Sequence, residues 1–264
     1  MEKKELEAIV AHYEGYDEDA RFNARWCRVE YLTTMRYIHR YLRPGDRVLE
    51  LGAGTGRYSL ALAGEGFDVT AVELVENNLR KLRAGITPGM RLRALQGNAL
   101  DLSELTSETY DVTLLLGPLY HLLTETDKRR ALAEALRVTK PGGVLMAAWC
   151  VTDGPMINFT FRLDRYKDLT ESGILDPATW RFHPEKGFLF EHVTRAEIDR
   201  LMAGFPVDRL HYVATDGLLS FLQKEMEEMN EETFQALLRY HFTVCEREDL
   251  IGATAHSLDV MRKR

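Results

Sequence analysis

Ten residues constrain this chain more than any others: Val48-Leu49-Glu50-Leu51-Gly52-Ala53-Gly54-Thr55-Gly56-Arg57. Apolar Val48, Leu49 and Leu51 read as a short strand from Arg47 to Leu51. The glycines at 52, 54 and 56 read as a tight turn into a helix from Arg57 to about Gly64. Such a turn needs glycine because the backbone must adopt positive φ and come close to a ligand or a neighbouring strand. The helix behind it presents unpaired N–H groups and the positive end of its dipole, which favour a carboxylate or phosphate. A strand that turns directly into a helix is half of a βαβ unit, so the rest of the chain must supply parallel partners.

It does so in order. Asp68 to Leu74 reads as a strand, Val75 to Ala84 as a helix and Arg91 to Gln96 as a third strand. Tyr110 to Leu116 is a nearly unbroken apolar run, as a strand covered on both faces requires. Asp127 to Val138 reads as a helix with Ala131, Leu132, Ala135 and Leu136 inward, stopped by Lys140-Pro141-Gly142-Gly143, and Val144 to Cys150 as a fifth strand. Thr194 and Glu197 form a capping box that opens a helix running to about Gly204. Val207 to Ala214 and Ala253 to Met261 complete seven strands. The alternation predicts an α/β fold, a Rossmann-like, mostly parallel sheet with helices on both faces.

Residues 1–43 read as an N-terminal helical cap, in which Val29, Leu32, Met35, Tyr37, Ile38 and Tyr41 recur at helical spacing before Pro44-Gly45-Asp46. Residues 44–264 read as the core, with inserts at about 151–193 and 218–242. The first insert carries Phe159, Phe161, Tyr166, Trp180, Phe182, Phe188 and Phe190 and is long for a connection inside such a core. It suits a lid over the open end of the sheet. The second reads as helical, its stripe of Glu225, Glu227, Glu228, Glu231 and Glu232 forming a solvated face.

A net charge of −7 and a pI near 5.7 argue against a phosphate-backbone footprint, so no nucleic-acid partner is expected. The most apolar stretch, 112–123, is broken by Gly117, Pro118 and His121 and is too short for a span of about 20 residues, so no membrane partner is expected. No apolar run follows Met1-Glu2-Lys3-Lys4-Glu5, so no secretory signal is expected. Cys27, Cys150 and Cys245 are far apart and without zinc spacing. They read as reduced thiols of a cytoplasmic protein with no metal.

Two nucleotide cofactors fit the glycine turn. A dinucleotide wants G-x-G-x-x-G, but Arg57 holds the place of the last glycine, and Gly56 gives G-x-G-x-G instead, which sets nicotinamide and flavin behind. Glu73, at the end of the second strand, is placed to accept from a ribose diol. The run E-L-G-A-G-T-G at 50–56 resembles the first motif of the class I S-adenosylmethionine-dependent methyltransferases. Val72-Glu73 resembles their second-strand acidic motif, Gly97-Asn98-Ala99 their adenine loop, and Tyr110-Asp111-Val112 to Gly117-Pro118 their fourth-strand motif. Leu136-Arg137-Val138-Thr139-Lys140-Pro141-Gly142-Gly143 resembles the turn before their fifth strand. More narrowly, Gly117-Pro118-Leu119-Tyr120-His121-Leu122 resembles a group of bacterial small-molecule methyltransferases.

The resemblance implies seven strands with the last antiparallel, S-adenosylmethionine as cofactor, S-adenosylhomocysteine as product, and no metal. It implies Glu50 near the methionine ammonium, Gly52, Gly54 and Gly56 around the methionine, and Glu73 on the ribose hydroxyls. It places the Asn98 side chain and the Ala99 N–H on adenine, and a carbonyl of Leu116 or Gly117 on the ammonium. Relatives often carry Asp where this chain has Asn98, whose amide oxygen still accepts.

Tyr120 and His121 follow the fourth strand, where an acceptor would meet the methyl group. Histidine titrates near neutrality, so His121 is a candidate base, with packing inside the loop as the alternative. Tyr13, Tyr16 and His192 are candidate substrate or lid residues; His183 is weaker, and His256, inside the last strand, reads as a satisfied core residue. The resulting expectation is methyl transfer by in-line displacement to an O or N nucleophile of a small molecule, with no oligomeric state assigned. The alternatives are an RNA or protein methyltransferase, disfavoured by the lack of an N/D-P-P-Y/F run, and a non-catalytic cofactor-binding protein.

Overall fold

The computed structural model describes residues 3–15, 24–187 and 189–264. Two helices come first, α1 (Lys3–Gly15) and α2 (Arg25–Tyr41). The alternation follows as β1 (Arg47–Leu51), α3 (Arg57–Gly64), β2 (Asp68–Glu73), α4 (Glu76–Ala84), β3 (Arg91–Gln96), β4 (Tyr110–Leu115), α5 (Glu125–Val138) and β5 (Thr139–Cys150). The first insert holds α6 (Tyr166–Glu171) and a ribbon of β6 (Leu175–Asp176) and β7 (Arg181–Phe182). The chain ends with α7 (Arg195–Met202), β8 (Val207–Ala214), α8 (Gln223–Glu228), α9 (Glu231–Val244) and β9 (His256–Lys263).

The seven long strands form one sheet in the order β3-β2-β1-β4-β5-β9-β8. Strands β1 to β5 pair in parallel, and β9 lies antiparallel between β5 and β8. Successive side chains on a strand face opposite ways, so the two halves of each apolar run feed two cores. Leu49, Leu115, Leu145 and Trp149 pack with Ala131, Leu132 and Ala135 of α5 and Ile198 of α7. Val48, Val69, Val112 and Met146 pack with Met35, Tyr37 and Ile38 of α2 and Leu62 of α3. Each fully buried side chain of this size contributes roughly 1.5–3 kcal/mol. The order of the sheet reverses between β1 and β4, and such a switch point leaves a crevice at the carboxyl ends of the strands.

Two strands start elsewhere than the sequence reading has them. Strand β5 begins at Thr139, directly after α5, and Lys140–Gly143 bulge out between the Tyr110–Thr139 and Val112–Val144 pairs. Strand β9 starts at His256 because the Asp216 carboxylate takes the N–H groups of Ala255 and His256, holding that stretch in a turn. The 1–43 segment also divides. Helix α1 packs on α4, whereas α2 lies on the sheet.

The inserts depart further. Met156, Leu169, Leu175 and Phe182 make a small core inside the first one. Phe161, Tyr166 and Trp180, expected to cover the sheet end, instead touch one another at 5.9–6.1 Å between ring centres and are 41–47% exposed. In the second insert Met226, Phe234 and Leu238 pack on Val29 of α2. Its acidic stripe is not wholly solvated, since Glu227 accepts from the Arg25 N–H at 2.6 Å and Glu231 pairs with the Arg25 guanidinium at 3.3 Å.

Candidate active site

The turn after β1 is fixed by its own backbone. The N–H groups of Gly52 and Ala53 both donate to the Val72 carbonyl at the end of β2, at 2.9 and 3.1 Å. Gly52, Gly54 and Gly56 all have positive φ. A Cβ on Gly52 would stand 2.7 Å from Pro118, and one on Gly117 would stand 3.3 Å from the Gly52 carbonyl oxygen. The turn after β1 and the loop after β4 therefore meet backbone to backbone at the switch point. Gly56 serves differently: it lines neither cavity described below, and a Cβ there would strike Leu82 at 2.7 Å.

Two cavities open on either side of this contact. One is lined by Gly54, Glu73, Asn78, Asn98, Ala99 and His121, among others. The other includes Glu30, Thr34, Glu50, Arg57, Leu116 and Thr215 in its lining. Gly52, Gly117 and Tyr120 line both, so the cavities adjoin at these residues.

In the first cavity, Glu73 is buried and accepts from the Gly54 N–H at 2.7 Å and the Val75 N–H at 2.8 Å. Burial pushes its carboxyl above the ordinary range, against the pull of these N–H groups and of the Asn78 amide. Asn98 lies in the wall with its Oδ1 accepting from the Leu100 N–H at 2.9 Å, so the same side chain also braces its turn. In the second cavity Glu50 is buried and accepts from the Ser59 hydroxyl. Tyr120, at the junction, donates its hydroxyl to the Leu116 carbonyl at 3.2 Å.

His121 lies in the first cavity, beside Glu73 and Asn98. Its Nε2 is 2.9 Å from the Tyr13 hydroxyl, and its ring lies 4.8 Å from Tyr120 and 5.1 Å from Phe190 between centroids. Burial pushes its pKa down to about 4, against the opposing pull of the Leu189 backbone. Tyr13 lines the same cavity, so α1 forms part of its wall. Tyr16 lies outside the described residues. His192 lines neither cavity; it rests 5.2 Å from the Phe182 ring, and burial, followed by the nearby His256, pushes its pKa down to about 3. His183 sits 3.1 Å from Glu185 near the surface.

The sequence reading missed Glu30, Thr34, Thr215 and Asn78. Glu30 and Thr34 stand four apart on α2, a polar pair on a helix whose neighbouring faces are buried, and that spacing was the available signal. His256 is not a plain core residue: its Nδ1 is 3.0 Å from Asp216 and 3.8 Å from Glu30. Burial opposes its charge, but the two carboxylates outweigh burial and hold the imidazole well above its usual range.

The arrangement can grip an elongated, two-ended ligand and leave its middle beside Tyr120. Among the described residues no cluster of three or more His, Cys, Asp or Glu is placed to hold a metal, and no helix is long and apolar enough to cross a membrane. Residues 48–143 match a family model described as a methyltransferase domain. Over 105 residues the chain is 37% identical to a demethylmenaquinone methyltransferase of Renibacterium salmoninarum, covering 40% of this chain and 41% of that one. Over 102 residues it is 32% identical to a glycine/sarcosine N-methyltransferase of Aphanothece halophytica, covering 38% of each. The chain thus spans about two fifths of the curated relatives it matches. A solved SAM-dependent methyltransferase from Methanosarcina mazei shares the fold at TM-score 0.57 and 20% identity, over 86% of this chain and 96% of that one.

Proposed function

We propose that the chain is a class I S-adenosylmethionine-dependent methyltransferase, in keeping with the match of residues 48–143 to a methyltransferase domain, and that it moves a methyl group from that cofactor to an oxygen or nitrogen of a small molecule. The observation that carries the reading is the junction of two cavities at Gly52, Gly117 and Tyr120, with Glu73 in one and Glu50 in the other. The residues fit the cofactor. Glu73 would take the ribose, Asn98 and Ala99 the adenine edge, and Glu50 with the carbonyls of Leu116 or Gly117 the methionine ammonium. Gly52 and Gly54 leave room for the chain between them, and Gly56 sets the turn. When bound, S-adenosylmethionine supplies a sulfonium methyl open to in-line displacement.

The protein's part is then placement. Holding nucleophile and methyl in line is worth roughly 7–11 kcal/mol. Tyr120 puts an aromatic ring at the junction, which suits a neighbouring cation. His121 is assigned to holding Tyr13 of α1 over the cavity rather than to removing a proton, because an imidazole whose pKa is pushed down to about 4 is a weak base near neutrality. The acceptor is assigned to the second cavity, beside Glu30, Thr34 and Thr215.

A small-molecule acceptor is supported by the names of the two curated relatives and by the net charge of −7. Residues 44–264 form the catalytic core in this reading and 1–43 its cap. The three buried cysteines suit a reducing compartment, the cytoplasm, in this reading. Calorimetry with S-adenosylmethionine and S-adenosylhomocysteine, with NAD as control, tests the cofactor. Labelled methyl transfer into metabolite, RNA and protein fractions tests the acceptor. Label in a metabolite is the expected result; label in RNA or protein alone, or binding without transfer, overturns the small-molecule reading.

A further inference from the structure

Asn78 stands in the first turn of α4, is 2% exposed and lines the cavity that holds Glu73. Its amide oxygen is buried without a hydrogen-bond partner among the described residues. Its neighbours Leu79 and Leu82 show what the position would carry if it only needed filling. A buried amide is favourable only when both its ends are satisfied.

The surroundings of Glu73 say what the missing partner is. A carboxylate offers about four lone-pair positions. Around Glu73 the protein itself supplies the N–H groups of Gly54 and Val75 and the Asn78 amide. That leaves room for one of the two hydroxyl donors that a ribose brings, and the other needs a second acceptor. The unpartnered acceptor beside it is the Asn78 oxygen.

We propose that Asn78 is a second ribose-binding residue: its Oδ1 accepts from one hydroxyl of the cofactor, while its N–H₂ braces the Glu73 carboxylate that takes the other. The inference rests on the cofactor reading above.

The test is calorimetry of the full chain and its Asn78→Leu variant with S-adenosylhomocysteine and with its 2′-deoxy and 3′-deoxy forms. The wild type should lose about tenfold in affinity on removal of the hydroxyl that Asn78 holds. Asn78→Leu should lose about as much toward the intact ligand and nothing further toward that one deoxy form. The proposal is overturned if the variant binds S-adenosylhomocysteine like the wild type, or if both deoxy penalties are unchanged by the substitution. Should Asn78→Leu fail to fold, the wild type still decides: indifference to the loss of either hydroxyl sinks the assignment. A wild type that binds S-adenosylhomocysteine in no form overturns the cofactor reading itself, a result separate from a failure of Asn78 alone.

Discussion

Glu73 shows how a single residue can be both strut and hand. Its carboxylate ties the Gly54 N–H of the first turn to the Val75 N–H ahead of α4, and in the proposed function it also meets the ligand. Glu73→Ala should weaken S-adenosylhomocysteine binding by about 1.5–3 kcal/mol, the worth of hydrogen bonds to a charged acceptor. Calorimetry checks this, with thermal melting to confirm that the turn survives, and an unchanged affinity would move the ribose elsewhere. The placement of Glu73, Gly52 and Asn98 about one cavity was legible in the sequence because it follows from local position at a strand end. Glu30, Thr34 and Thr215 were not. They reach the second cavity only because α2 and the end of β8 fold back beside the β1 turn, a long-range packing result that no local pattern encodes. For His121 the residue type was legible but the burial that lowers its basicity was not.

Among the elements, the parallel strands were readable from their apolar runs, since a strand covered on both faces leaves no polar alternation. The first insert was readable only as an insert. Its described aromatics are spread between a private core, an exposed trio and a single ring, Phe190, beside Tyr120 and His121. What joins it to α5 is an ion pair, Lys128 with Glu191, of which Lys128 is nearly fully buried. The Glu191 N–H also donates to the Tyr120 carbonyl at 2.8 Å. Lys128→Met should therefore cost about 3 kcal/mol in chemical denaturation, because it strands Glu191, whose carboxyl burial already pushes up. Adding Glu191→Leu should recover most of that loss; failure to recover would show that the lysine acts by packing alone.

At the scale of the whole molecule, three histidines set opposite limits on stability. His121 and His192 are neutral when folded, with pKa values pushed down to about 4 and about 3 from an ordinary 6.5. The unfolded chain binds protons at these sites first, so stability should fall as pH drops from about 6.5 toward 4, on the order of 3 kcal/mol from His121 alone. His256 has the opposite sign. Its folded form keeps a proton that the unfolded form has lost, so its contribution is complete below about 6.5 and disappears as pH rises through its elevated pKa. Urea denaturation from pH 4.5 to 9 should show both limbs. His121→Phe should flatten the acid one and His256→Gln the alkaline one, and a variant with wild-type slope would remove that residue from the account. The junction of the two cavities has a consequence of another kind. Ile9, Tyr13, Glu30, Thr34 and Thr215 line the cavities from outside residues 48–143, while the glycine turn, Glu73, Asn98 and Gly117 lie within them. In the proposed function the acceptor cavity draws on both, and exchanging Glu30, Thr34 and Thr215, on α2 and behind β8, would retool it while the glycine turn, Glu73 and Asn98 stay as they are.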